Sequence, residues 1–140
     1  MELQRKKVLI VDNDEDVLIN LERALEEHDC ETVTAWDLPE ALETLEGSGF
    51  DLLLIGDHPP ELNCERLLKQ LNRANVTVPV VVMHSAERYP FSEGYLRYLG
   101  AMGVACKWNE GAVVQQVENC LTALPIAAAV RSMAKRAASH

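Results

Sequence analysis

Positive charge is scarce in this sequence: 13 Lys and Arg stand against 22 Asp and Glu, for a formal net charge of -9. Such a surface repels phosphate backbones and anionic lipid headgroups, which argues against nucleic-acid or membrane-surface binding by this segment. Long apolar runs are missing as well. Met1 to Lys7 is charged and leads straight into a short apolar strand, so neither a signal-peptide core nor a bilayer-spanning stretch is present, and a cytoplasmic location is expected. The four cysteines, Cys30, Cys64, Cys106 and Cys120, form no CxxC pair and have no ligand histidines nearby. That spacing argues against a zinc site and against a dense disulfide framework, leaving four reduced thiols. There is no internal repeat and no low-complexity segment.

What is present is a chain of 140 residues, 48% hydrophobic, enough for one substantial core and too little for two. Lys7 to Val11 is a continuous apolar run ending in acids, as a parallel strand covered on both faces requires. Val17, Leu18, Leu21, Ala24 and Leu25 then recur at helical spacing behind Asp14. Cys30 to Trp36 reads as a second strand. Asp37-Leu-Pro-Glu40 opens a second helix with an Asp cap, an early proline and a Glu three residues later. Asp51 to Ile55, almost wholly Leu and Ile, reads as a central third strand, and Cys64, Leu67, Leu68 and Leu71 mark a third helix. Val76 to Met83 gives a fourth strand, Tyr95, Leu96 and Leu99 a short fourth helix, Gly100 to Cys106 a fifth strand, and Val113 to Leu121 a fifth helix capped by Asn109. Five strands alternating with five helices imply right-handed crossovers and a doubly wound parallel α/β sheet. Ile126, Val130, Met133 and Ala137 fall on one stripe of an extra C-terminal helix, so residues 1–124 form the expected domain and 125–140 a helical extension or linker.

In an open parallel sheet, functional side chains collect beyond the carboxyl ends of the strands. Asp12, Asp57 and Lys107 each follow a strand, and the fourth strand runs into His84-Ser85. Two carboxylates, an ammonium and a hydroxyl on one rim suit phosphoryl transfer to a carboxylate, with an oxygen-ligated magnesium ion screening the charge.

At these positions the chain resembles the receiver domains of two-component response regulators. The resemblance spans roughly Lys6 to Leu124 and rests on Val-Leu-Ile-Val-Asp12, Ala35 with Glu40-Ala-Leu42, Asp51-Leu-Leu-Leu-Ile-Gly-Asp57, Ser85-Ala86 and Gly100-Ala-Met-Gly103 leading to Lys107. It implies a flavodoxin-like sheet of order 2-1-3-4-5 and a phosphoacceptor at Asp57, with Lys107 and Ser85 binding the phosphoryl group. It further implies Mg2+ held by Asp12, Asn13, Asp57 and the carbonyl of Pro59, and a histidine kinase or phosphotransfer protein as partner. Such a domain is a switch, capable at most of self-catalysed phosphotransfer and dephosphorylation. Homodimerisation through the fourth and fifth helices, or through the C-terminal helix, is a second partner expectation.

The pattern departs from the family at several points. Asn13 stands where a second acid is usual, which removes a charge from the metal site. Asp14 reads as a helix cap. The hydroxyl place falls on His84 when counted from Pro79 and on Ser85 when counted back from Lys107. Trp108 follows Lys107 where proline is usual, and reads either as a cover for the fifth helix or as a partner contact. These departures support an alternative, a receiver-like interaction module independent of phosphate. A flavin or nucleotide binder ranks last, because Asp12-Asn-Asp-Glu-Asp16 is acidic where a phosphate-binding loop would be.

Overall fold

The computed structural model describes residues 5–47, 49–58, 62–85 and 93–123. Ten elements alternate: β1 (Lys7–Val11), α1 (Glu15–Glu27), β2 (Glu31–Ala35), α2 (Leu38–Gly47), β3 (Leu52–Gly56), α3 (Cys64–Arg73), β4 (Val80–His84), α4 (Glu93–Leu99), β5 (Ala101–Cys106) and α5 (Glu110–Thr122). The strands form one parallel sheet in the order β2-β1-β3-β4-β5. The expected C-terminal helix and the boundary at residue 124 lie outside the described residues.

Alternation along the strands sorts the core into two layers. Val8, Ile10, Leu52, Leu54, Val81 and Met83 pack with Val17, Leu21 and Leu25 of α1 and Val113 and Val117 of α5. Leu9, Val11, Leu53, Ile55, Val80 and Val82 pack on the opposite face with Ala41, Leu67, Leu71 and Leu96. Every residue of β3 is buried, as its apolar run requires of the middle strand. Fully burying one such Leu or Ile contributes roughly 1.5–3 kcal/mol, so this strand is a rigid base for whatever follows it.

Strand starts differ from the sequence reading. Asp51 precedes β3: its carboxylate accepts the Lys7 backbone N–H and its own N–H donates to Lys7 O, each at 2.8 Å, tying the entries of two strands together. Val76 to Pro79 is not strand: the Val76 N–H closes the end of α3 on Leu71 O at 3.0 Å.

Asp14 caps α1, its side chain accepting from the N–H groups of Asp16 and Val17 at 2.9 and 3.4 Å. Replacing it by Ala is expected to cost about 1 kcal/mol in urea unfolding, and by Asn close to nothing, because Asn caps equally well. An equal loss in both variants would show that its charge has a further role.

Candidate functional site

Three strand ends at one edge of the sheet are pinned to their neighbours by main-chain hydrogen bonds. The Asp12 N–H donates to Ala35 O at 3.2 Å, the Asp57 N–H to Met83 O at 2.8 Å, and the Lys107 N–H to His84 O at 2.9 Å. The ladder therefore runs on for one residue past β1, β3 and β5, and it delivers Asp12, Asp57 and Lys107 to a common rim. All three are buried, the only polar or charged residues so placed among those described.

Lys107 Nζ donates to Asp12 Oδ2 at 3.0 Å, with both side chains fully shielded from solvent. Asp12 Oδ1 accepts the Asp14 N–H at 2.9 Å. His58 leans over this pair, its Nε2 in contact with Lys107 Nζ and 3.8 Å from Asp12 Oδ1. Asp57 Oδ1 accepts the Cys64 N–H at 3.1 Å. The Cys64 thiol sits against the same carboxylate, and its pKa is pushed well above the ordinary thiol value, first by burial and then by the Asp57 charge. Asp12 also raises it and Lys107 lowers it, so all three rim charges act on one sulfur atom. Cys64 is consequently a neutral donor to Asp57 and no nucleophile.

Asn13 is exposed next to Asp12. Ser85 follows β4 and is half-buried. The register pairs Gly56 with Met83, which sets His84 level with Asp57 and Ser85 one residue farther along. Pro59 lies outside the described residues. Trp108 is 64% exposed, and Lys107 Nζ lies 5.9 Å from its ring centroid, within cation–π range.

Two participants went unnoticed in the sequence, His58 and the thiol of Cys64. The signal for His58 was its place directly after Asp57. For Cys64 it was the helix start that aims its N–H back at that carboxylate, a start that Asn63 caps by accepting from the Arg66 N–H at 3.0 Å.

Asp12, Asp57 and the Asn13 amide offer the hard oxygen donors that magnesium prefers. They fit such an ion by chemistry, although among the described residues no three His, Cys, Asp or Glu side chains gather into a metal-holding group. The fit is limited by Asp12, whose two oxygens are already engaged.

A parallel sheet of this order with an acidic rim and a buried lysine defines a receiver. The chain belongs to the response regulator receiver domain family, whose profile matches residues 8–125. It is 31% identical over 78 residues to the alkaline phosphatase synthesis transcriptional regulatory protein PhoP of Bacillus subtilis. That match covers 56% of this chain and 32% of PhoP, so the chain spans about a third of this relative. Among solved structures, a Francisella response regulator receiver domain superposes with a TM-score of 0.75 at 22% identity, over 84% of this chain and 98% of that one. The response regulator TrrA of Thermotoga maritima, solved in complex with Mg(2+)-BeF, gives 0.69 at 18% identity, over 81% and 97% of the two chains. At these identities the structures show the fold alone. Receiver domains in general are phosphoacceptor switches that bind Mg2+ at their acidic pocket. No helix among the described residues is long and apolar enough to cross a membrane.

Proposed function

We propose that this chain is a phosphoacceptor switch of two-component signalling. A carboxylate oxygen of Asp57 attacks the phosphorus of a phosphohistidine on a kinase or phosphotransfer protein; the P–N bond breaks, the imidazole leaves, and an acyl phosphate forms on Asp57. The observation that carries this is the convergence of Asp57 with Lys107 and Asp12 on one buried rim.

Lys107 is the cation positioned to meet the phosphoryl oxygens once it parts from Asp12, and a preorganised ammonium in a water-poor site is worth far more than in solvent. Cys64 holds the acceptor carboxylate in place through its N–H and thiol. The wall on the β4 side has two candidates: the count back from Lys107 favours the Ser85 hydroxyl, and the count from Pro79 and the register favour His84. Magnesium, held by Asp12, Asn13, Asp57 and the Pro59 carbonyl, would neutralise charge on the transferring group. The resulting charge shifts a two-state equilibrium and with it the binding of partners, including a second copy through α4 and α5. Tyr98, at 84% exposure, is the most open aromatic there. We place the switch in the cytoplasm, with neither nucleic acid nor membrane as a partner of this domain.

One observation favours the alternative, a receiver-like module that binds partners without phosphate: the Asp12–Lys107 pair already satisfies both charges. Intact-mass measurement after incubation with acetyl phosphate separates the two readings. The switch predicts a Mg2+-dependent phosphoryl adduct on the wild type and none on Asp57→Asn; no adduct at any Mg2+ concentration would favour the module.

A further inference from the structure

Gly56 closes β3 on the same side of the sheet as Leu52 and Leu54, the side that α1 and α5 cover. A Cβ at this position would lie 1.9 Å from Asp12 Oδ2, 2.8 Å from Asp12 Cγ and 3.2 Å from Lys107 Nζ. The Asp12 carboxylate thus occupies the space in which any other residue would put its side chain. The ion pair with Lys107 lies across the end of the acceptor's own strand.

We infer that Gly56 is a positioning residue that withholds Asp12 from divalent metal: by leaving that space open it lets the carboxylate turn across β3 onto Lys107, whose ammonium stands in for the cation. This rests on the magnesium reading above and adds its control. Three features support it. Both Asp12 oxygens are engaged, one by Lys107 Nζ at 3.0 Å and one by the Asp14 N–H at 2.9 Å. The neighbour that could add a second charge is Asn13, neutral and exposed. Asp12, Asp57 and Lys107 together leave one formal negative charge, too little to draw in a strongly hydrated dication unless the ammonium is displaced. Metal entry and release of Lys107 are therefore one event, and the freed lysine becomes available to the phosphoryl group.

An alanine at 56 cannot coexist with Asp12 in its present place, since a contact of 1.9 Å forces the flexible carboxylate aside. Mn2+ alone is the probe, with free ion counted by electron paramagnetic resonance and Mg2+ added as competitor. Gly56→Ala is expected to bind Mn2+ several-fold more tightly than the wild type, and the gain should vanish when Asp12→Asn is added. Lys107→Met removes the competing ammonium from the other side and should tighten Mn2+ binding in the same direction, which keeps the test open if Gly56→Ala fails to fold. Unchanged or weaker binding in a folded variant overturns the inference, as does absence of Mn2+ binding in every variant. A wild type that binds Mn2+ but never takes up phosphate would refute the phosphoryl switch and leave this inference standing.

Discussion

Lys107→Met is expected to lower the unfolding free energy by about 3–5 kcal/mol in metal-free urea titrations, the usual cost of leaving one member of a buried ion pair alone. Asp12 has no exposed surface, and without Lys107 its one remaining direct hydrogen-bond donor among the described residues is the Asp14 N–H. The contrast lies on the surface. Lys69–Glu65 and Arg97–Glu93 are paired at 3.0 and 3.1 Å, yet they lie one helical turn apart on solvent-facing helix surfaces, where screening leaves an ion pair worth little. Burial rather than distance makes the difference. Saturating Mg2+ should return part of the lost stability in the variant, because an ion that binds only the folded state stabilises it by mass action. A loss below about 1 kcal/mol, in the range of surface pairs, would mean that Asp12 is hydrated in the folded protein.

The second large effect belongs to β3. Leu54 is fully buried, in register with Ile10 on one side and Val81 on the other, and two residues before Gly56 on the same face. Leu54→Ala should destabilise by about 2–5 kcal/mol, the sum of lost transfer energy and the cavity left behind. The cavity would open directly beneath the Asp12–Lys107 pair, so the variant that remains folded should also take up phosphate more slowly. Val76, 38% exposed, is the control: Val76→Ala should stay within about 0.5 kcal/mol.

The strand tips were the most legible part of the chain. Apolar runs that stop abruptly at Asp12, Asp57 and Lys107 leave little choice about where each strand ends, and the parallel fold then assembles the rim. Strand beginnings were less legible, because Asp51 and Val76 are held by hydrogen bonds that spacing does not reveal. The closeness of Asp12 to Gly56 was hidden too, since a glycine ending a strand is equally consistent with a bulge or a simple turn. The place of His58 depends on how the chain leaves Asp57; its main chain exchanges hydrogen bonds with Leu62 at 2.8 Å in both directions, a bridge no short-range pattern announces. The choice between Ser85 and His84 was open because the two counts differ by one residue, and only the pairing of β3 with β4 bears on it.

Asp57 itself supplies the oxygen that bonds to phosphorus in the proposed switch, and trapping the acyl phosphate tests this most directly. Borohydride reduction after acetyl phosphate and Mg2+ treatment should convert Asp57 to homoserine, read by peptide mass mapping. Homoserine at Asp12 or another carboxylate, or none in a protein whose fold is intact, would contradict it.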